Sequence, residues 1–221
     1  MNIVNTILHG VLVGGLYALF AAGLSLIFGV MRLVNIAHGD LIVLAAYVAM
    51  VVVQITGLHP LLALIMVVPL MAAFGYALQI GILNRTLGAD LLPPLLVSFG
   101  LSMILQNGQL ATSTADSRKL DAGALETASI ALGGISIGIL PALMFATAIV
   151  VIGALQFLFC RTALGRAFRA TSDDAEIAEL MGLDRAKIYA WAMALCLGVV
   201  AIAGYSWRSA PTSTRSWGRG G

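Results

Sequence analysis

Five long stretches of the chain carry no Asp, Glu, Lys or Arg, and together they make up 154 of its 221 residues. They are apolar on every side and lack the strict alternation of apolar and polar positions that marks a barrel strand. Because backbone groups in lipid must be hydrogen-bonded within their own segment, such runs predict transmembrane helices. The runs cover residues 1–31, 41–84, 91–115, 127–160 and 188–207.

The second run is long enough for two spans, since about 20 apolar residues cross the hydrocarbon core of a bilayer. Gly57 and Pro60 interrupt it near its middle with helix-breaking residues. The sequence therefore predicts an all-α fold, a polytopic transmembrane helical bundle with about six spans. The spans are expected near residues 5–29, 38–56, 61–82, 92–112, 139–159 and 187–205.

Basic residues are unequally shared among the connections between the spans, and this predicts the orientation. If the connection over residues 161–187 is cytoplasmic, that side holds seven Lys or Arg residues. The outer side then holds two, Arg118 and Lys119, with the C-terminal tail set aside. We expect a multi-pass protein of the bacterial inner membrane with a periplasmic N-terminus. Residues 129–139, at the end of the long outer connection, are expected to form a short interfacial piece.

Composition agrees with a bilayer environment and adds few candidates for chemistry. The chain is 60% hydrophobic and 10% charged, whereas a soluble domain is about 25% charged. Its net charge of +2 gives no reason to expect nucleic-acid binding. We find no catalytic, metal-binding or nucleotide-binding motif, so neither enzyme activity nor a cofactor bound by this chain is expected. Cys160 and Cys196 are interpreted as small apolar packing residues.

The connection over residues 161–187 contains the most informative polar segment. Asp173 is predicted to be the N-cap of a short amphipathic helix, and Glu176 to complete a capping box. Gly182 is expected to end this helix in a left-handed conformation. Asp184 should then cap the next span.

An apolar stripe runs along this short helix, with Ile177, Leu180 and Met181 at helical spacing. It could face the membrane surface, the chain's own helices, or a groove on a soluble partner. Arg166 and Arg169 precede it. They could orient the connection against acidic groups or lipid headgroups, or merely satisfy the charge rule.

A polar break separates the first two apolar runs at Asn35, His38, Gly39 and Asp40. One interpretation is a helix break that lines a pathway through the membrane. The other is an ordinary interfacial turn in which Asn35 and Asp40 act as caps. Asp40 is the one ionisable group near the interior of a predicted span, where such groups are expensive.

Several sequence blocks, taken together and in order, carry a family resemblance. Glu176-Ile-Ala178, followed by Gly182, is similar to the Glu-Ala-Ala…Gly coupling loop of ABC importer permeases. The break at Asn35-Ile-Ala-His-Gly39 resembles an Asn-Phe-Ala-His-Gly block. The other blocks are Gly14-Gly15-Leu-Tyr17-Ala18-Leu with Gly23, Ser98-Phe-Gly100-Leu-Ser with Gln106-Asn107, and Gly165-Arg166-Ala with Arg169-Ala. The chain resembles the LivH-type permeases of the branched-chain amino acid ABC transporter family.

This resemblance implies a permease subunit that moves branched-chain amino acids across the inner membrane without covalent chemistry. It implies a LivM-like second permease subunit, two cytoplasmic ATPase subunits that use ATP, and a periplasmic amino-acid-binding protein. The alternatives are a urea or amide permease of the same family and an ATP-independent secondary transporter or channel. The coupling helix would consist of Asp173, Glu176, Ile177, Ala178, Leu180, Met181 and Gly182.

The resemblance is expected to end near residue 204, where the family continues through about two more spans. Residues 1–204 are therefore predicted to form an incomplete permease domain. Residues 205–221, rich in Ser, Arg, Trp and Gly, resemble an out-of-frame polar tail without helical periodicity. The expectation is a truncated permease that cannot transport.

Overall fold

The computed structural model describes residues 3–57, 60–87, 92–112, 129–132 and 135–209. Two short helices lie between the last two long ones, and a 3-10 turn, Leu83–Thr86, follows the third. The predicted all-α bundle is confirmed, with six long helices at the expected places. The helices are α1 Ile3–Met31, α2 His38–Thr56, α3 Pro60–Gly81, α4 Leu92–Thr112, α5 Ile139–Arg161, α6 Ala163–Asp173, α7 Ala175–Leu180 and α8 Arg185–Ser209.

Five of the long helices in the described part of the chain are long and apolar enough to cross a membrane, namely α1, α2, α3, α5 and α8. The exception, α4, carries two prolines in its first turn and three amide side chains in its second half. Its amides and hydroxyls lower its apolarity but bond to α2, as described below. The sixth span predicted there therefore rests on the length of α4 and its place in the order of helices.

A β-hairpin precedes α5 where a short interfacial piece was predicted. Its strands are β1, Ser129–Leu132, and β2, Ile135–Gly138, which pair antiparallel with Ile130 opposite Ile137. β2 leads directly into α5. The remainder of the predicted outer connection, residues 113–128 and 133–134, lies outside the described residues.

The central helix of the bundle is α8, which packs against α1, α2 and α3. Its inward side chains are fully buried, among them Met193, Leu197 and Val200. By contrast, α5 packs mainly on α1 and leaves most of its surface exposed. The core is therefore a four-helix cluster around α8, with α4 and α5 at its periphery.

Glycines allow the closest approaches to α8. A Cβ on Gly75 of α3 would lie 2.9 Å from the carbonyl oxygen of Met193, and one on Gly204 would lie 2.9 Å from that of Ile42. Both neighbours are backbone atoms, so a larger residue would push the helices apart. Packing through small residues is the expected mode of helix association in lipid.

The basic connections meet at one end of the bundle. The Ser172 hydroxyl donates to the carbonyl of Gly29 at 2.6 Å, and the Asn84 amide donates to the carbonyl of Ala186 at 3.0 Å. The first bond joins the end of α1 to the end of α6, and the second joins the turn that contains Arg85 to the start of α8. The helix order thus alternates in direction as predicted, while the side of the membrane that this end faces stays a prediction.

The last described helix runs further than expected. α8 continues to Ser209, so the prediction that helical structure ends near residue 205 is wrong for residues 205–209. Residues 210–221 of the predicted tail lie outside the described residues.

Candidate functional site

The connection between α5 and α8 folds as two helices, where the sequence predicted one. Asp173 ends α6, and Asp174 is the N-cap of α7. The Asp174 Oδ1 accepts hydrogen bonds from the backbone N–H groups of Glu176 and Ile177, both at 3.0 Å. Asp174 has the extended backbone of an N-cap, with φ −150° and ψ 108°. The prediction of Asp173 as N-cap is therefore wrong by one residue. The predicted capping box is also wrong, because Glu176 follows the actual N-cap by two residues and not by three.

The C-terminal end of α7 is fixed by a Schellman motif. Gly182 has φ +87°, its N–H bonds to the carbonyl of Glu179 at 3.0 Å, and the Leu183 N–H bonds to that of Ala178 at 3.1 Å. These are the two hydrogen bonds that define the motif. The predicted left-handed end at Gly182 is confirmed.

Asp184 caps the central helix immediately afterwards, as predicted. Its Oδ1 accepts from the Lys187 backbone N–H at 3.1 Å, and its Oδ2 lies 3.1 Å from the Lys187 ammonium. The hydrogen bonds to the Lys187 side chain and backbone lower the pKa of the Asp184 carboxyl. One turn of chain thus joins the end of α7 to the start of α8.

The apolar stripe of α7 points away from the bundle. Ile177, Leu180 and Met181 are 59%, 87% and 80% exposed, whereas Ala178 on the opposite face is buried. The alternative in which this stripe packs on the chain's own helices is therefore wrong for the described residues. A membrane surface or a partner groove remains as its contact.

α6 is held tightly against the end of α5. The Phe168 side chain is fully buried and packs on Phe159 with ring centroids 5.4 Å apart. The Arg169 guanidinium donates to the carbonyl of Phe159, which is one of the last carbonyls of α5. The partner of Arg169 is thus a backbone group, where an acidic group or a lipid headgroup was suggested. Arg166 is exposed.

The polar break between α1 and α2 reaches far into the bundle. His38 Nε2 lies 3.3 Å from the carbonyl oxygen of Phe20, eleven residues before the end of α1 at Met31. His38 Nδ1 lies 3.8 Å from the sulfur of Cys196, eleven residues after the start of α8 at Arg185. At 1.5 Å per residue, the His38 ring contacts α1 and α8 about 16 Å from the ends of those helices at Met31 and Arg185. An ordinary turn at the bundle's end does not fit this depth.

His38 links three helices at this depth. The Phe20 carbonyl can only accept, so His38 Nε2 donates to it, and Nδ1 is left to accept the Cys196 thiol. Gly23 makes room for the ring, because a Cβ there would lie 3.3 Å from His38 Cε1. Cys196 is therefore a polar contact as well as the packing residue that was predicted.

Asp40 is bound by α4. The Ser102 hydroxyl donates to Asp40 Oδ2, the Gln106 amide donates to Oδ1 at 3.1 Å, and the Gln109 amide donates to the Asp40 backbone carbonyl at 3.1 Å. None of these partners of Asp40 was predicted from the sequence. The signal was available, because Ser98, Ser102 and Gln106 recur every four residues and so share one helix face.

The other residues of the break have distinct positions. Asn35 Oδ1 accepts from the backbone N–H of Ala37 at 3.0 Å, and Ala37 rather than Asn35 or Asp40 occupies the N-cap position of α2. The proposed capping roles of Asn35 and Asp40 are therefore wrong. Gly39 is exposed and has open space where a side chain would project.

A narrow cleft lies beside Asn35, between α1, α3, α4 and α8. Its walls are mostly apolar, and its polar groups come from Asn35, Gln79 and Ser98. Ser98 already donates to the Leu95 carbonyl at 2.8 Å and accepts from the Ile36 N–H at 3.4 Å. The Gln79 amide donates to the Asn84 side chain at 2.9 Å. Neither Ser98 nor Gln79 was predicted as part of a site.

Comparisons with known proteins agree with the resemblance seen in the sequence. The chain is 26% identical over 212 residues to BraD, a high-affinity branched-chain amino acid transport system permease protein of Pseudomonas aeruginosa, covering 89% of this chain and 68% of that protein. LivH of Escherichia coli K12 is 24% identical over 209 residues, covering 89% and 67%. LivH of Salmonella typhimurium is 23% identical with the same coverage. No solved structure matches the chain.

A family model describes nearly all of the chain. The model for the permease component of branched-chain amino acid transport systems matches residues 6–214. The match continues past residue 204, where the resemblance was expected to end, and the predicted truncation stays a prediction. Because it covers far more than half of the sequence, this chain belongs to the family of branched-chain amino acid transport system permease components.

Proposed function

We propose that this chain is the membrane-spanning permease subunit of an ABC importer that moves branched-chain amino acids across the bacterial inner membrane. The observation that carries the proposal is α7, a short helix with both ends capped and its apolar stripe exposed at the basic end of the bundle. The substrate class follows from the relatives, which are named as branched-chain amino acid permease proteins.

The geometry of α7 suits a helix that inserts into a groove of a cytoplasmic ATPase. Leu180 and Met181 supply the exposed apolar contact, while Ala178, on the opposite face of α7, is buried against the rest of the chain. Movement of α7 would pass to α8 through the few residues between Gly182 and Arg185. ATP hydrolysis would then reside in two partner ATPases, and the transported amino acid would come from a periplasmic binding protein.

The polar break supports a pathway through the bundle. Irregular backbone at membrane depth is tolerated where it is buried in protein or lines a cavity, and transporters use interrupted helices at such places. Asn35, His38 and Asp40 lie in or beside this break, and Asn35 also lines the cleft. The break would border the pathway, whose other half would come from a LivM-like second permease. In this arrangement the N-terminus is periplasmic.

Gly182 provides the test of coupling. In a complex reconstituted into liposomes with its partners, Gly182→Val should reduce ATP-dependent leucine uptake by roughly ten-fold, because the left-handed conformation costs a non-glycine residue about 1–2 kcal/mol. Gly182→Asn is the matched control and should retain most of the uptake, since Asn tolerates this conformation. Membrane insertion of both variants is measured by quantifying the chain in the membrane fraction.

Uptake at the wild-type rate by Gly182→Val would contradict the coupling role. Uptake that persists without ATP would favour a secondary transporter or channel. Competition by urea or small amides, without competition by valine or isoleucine, would favour an amide permease of the same family.

A further inference from the structure

Two amide groups at the cleft have polar atoms without a hydrogen-bond partner among the residues that the structure describes. These atoms are Nδ2 of Asn35 and Oε1 of Gln79, and both are buried. The two residues are 8% and 1% exposed and line the same cleft between α1, α3, α4 and α8. Leaving a buried polar atom unpaired is costly, so both atoms call for a partner.

The identity of each unpaired atom follows from the bonds on the other half of its amide. Asn35 accepts from the Ala37 N–H at 3.0 Å, so its free group is the NH2 donor. The Asn84 amide donates to the Ala186 carbonyl, which can only accept, so the Asn84 oxygen is the atom that accepts from Gln79. The free atom of Gln79 is therefore its carbonyl oxygen, and the cleft offers one donor and one acceptor.

The size and the lining of the cleft limit what can bind there. Its volume is about 20 Å³, and a single water needs at least about 10–15 Å³. There is room for one water and none for an organic molecule of several heavy atoms. The lining residues are uncharged, so an ion would find no counter-charge. A water is neutral and both donates and accepts, as these two amide atoms require.

Ser98 offers a third partner at the same cleft. It is 1% exposed, its hydroxyl donates to the Leu95 carbonyl, and its oxygen accepts from the Ile36 N–H at 3.4 Å. A hydroxyl oxygen has two lone pairs, so one remains for the second hydrogen of a bound water. Buried waters typically make about three hydrogen bonds, and Asn35, Gln79 and Ser98 complete that number.

We infer that the cleft binds one ordered water, which accepts from Asn35 Nδ2 and donates to Gln79 Oε1. This water completes a hydrogen-bonded chain from the α1–α2 break to the central helix. At one end Asn35 holds the Ala37 N–H at the N-cap of α2, and at the other end Gln79 reaches the Ala186 carbonyl through Asn84. The chain of bonds fixes the break relative to the first turn of α8, next to the α7 connection. The inference concerns the folded protein and does not depend on the proposed function.

X-ray radiolytic footprinting detects such a water in the full chain in lipid nanodiscs. Short X-ray pulses convert bound water into hydroxyl radicals, which oxidise the side chains beside it, and methionine sulfur is readily oxidised to the sulfoxide. Met193 lines the cleft and is 0% exposed, so its oxidation reports a buried water. Met71 is 2% exposed on α3 and is not among the residues that line the cleft. Met193 should be oxidised, and Met71 should stay unmodified.

A dilute oxidant in the bulk solvent separates an ordered water from an open, solvated cleft. Hydrogen peroxide added without X-rays should oxidise Met181, which is 80% exposed on α7, and should spare Met193. Oxidation of Met193 by peroxide as fast as that of Met181 would overturn the ordered site, because bulk water would then enter the cleft. A wild-type Met193 that X-ray pulses leave as unmodified as Met71 would also overturn it.

Two substitutions at the cleft test the polar partners of the water. Gln79→Leu removes the acceptor, so X-ray oxidation of Met193 should fall to the level of Met71. Asn35→Asp keeps one oxygen for the Ala37 N–H, and its other oxygen can accept from the water, so oxidation of Met193 should persist. Unchanged oxidation of Met193 in Gln79→Leu would contradict the inferred partner. If Gln79→Leu opens the bundle, Met71 is oxidised as well, and the wild-type result decides.

The chain of bonds also predicts an effect at a distance from the substitution. Without the water, Asn35 is free to rotate, so the Ala37 amide should exchange with deuterium roughly two- to ten-fold faster in Gln79→Leu, as expected for loss of one hydrogen bond. Asn35→Ala removes that bond itself, and adding Gln79→Leu to it should cause no further increase. Fully additive increases would contradict a link through the water. Gln156→Leu is the matched control, because it removes an exposed amide of α5 outside the cleft and should change neither readout.

Discussion

Gly165 of α6 approaches the end of α5 so closely that a side chain does not fit. A Cβ there would lie 2.3 Å from the carbonyl oxygen of Leu158 and 2.4 Å from that of Phe159. Both are helix backbone atoms and cannot rotate away. Ordinary carbon–oxygen contacts begin at about 3.3 Å, so Gly165→Ala must lift α6 from α5 by about 1 Å.

The cost of that displacement follows from what holds α6 in place. Phe168 is fully buried against Phe159, and full burial of a Phe side chain contributes about 1.5–3 kcal/mol. The Arg169 bond to the Phe159 carbonyl contributes about 1 kcal/mol. Losing both weakens docking by at most about 2.5–4 kcal/mol, or roughly 60- to 700-fold in the docking equilibrium. The gain from Ala over Gly in a helix is only about 0.5–1 kcal/mol.

Hydrogen–deuterium exchange of the peptide over residues 163–173 measures this docking in membranes. Amide exchange in α6 should be faster in Gly165→Ala than in the wild type, by up to roughly 700-fold. Gly153→Ala in α5 is the matched control, because a Cβ there has no described residue of another helix within 4 Å. Its α6 exchange should match the wild type. Unchanged or slower α6 exchange in Gly165→Ala would refute the steric argument.

Three further predictions concern the same end of the bundle. Asp174→Ala should destabilise α7 by about 1 kcal/mol, measured by amide exchange, whereas Asp173→Ala should have little effect because it caps nothing. Cysteines placed in α7 and in residues 113–128 should be labelled from opposite sides of the membrane, and labelling from one side would contradict the predicted orientation. The Asp184 carboxyl should titrate by NMR below its ordinary value of 3.8 and move back toward it in Lys187→Met. Since its pKa is lowered on folding, its contribution to stability is present above that value and is lost as the pH falls through the lowered pKa.

The long helices could be predicted from the sequence because their signal is local. Charge-free apolar runs of sufficient length have one satisfactory backbone arrangement in lipid, and the breaks at Asn35 and Gly57 mark where two of them stop. The end of α7 at Gly182 and the cap of α8 at Asp184 were also predictable, because capping depends on a few neighbouring residues.

Features that depend on tertiary contact were not predictable in this way. Asp173 and Asp174 are chemically identical neighbours, and the choice of cap follows from where α6 ends, which depends on the docking of Gly165 and Phe168 on α5. The depth of His38 is likewise set by partners on other helices.

The bonds of Asp40 and His38 also impose an order on biogenesis. Ser102 and Gln106 follow Asp40 by 62 and 66 positions, and Cys196 follows His38 by 158. At about 5–20 residues per second, α4 is made roughly 3–13 s after the start of α2, and α8 roughly 8–32 s after it. During that interval the Asp40 carboxylate has no partner on α4, and a lone Asp at the centre of a span costs about 2.5–3.5 kcal/mol. The nascent α1–α2 pair is therefore expected to remain beside the insertion machinery or at the bilayer interface until α4 arrives, and the bundle to close only when α8 fills its centre.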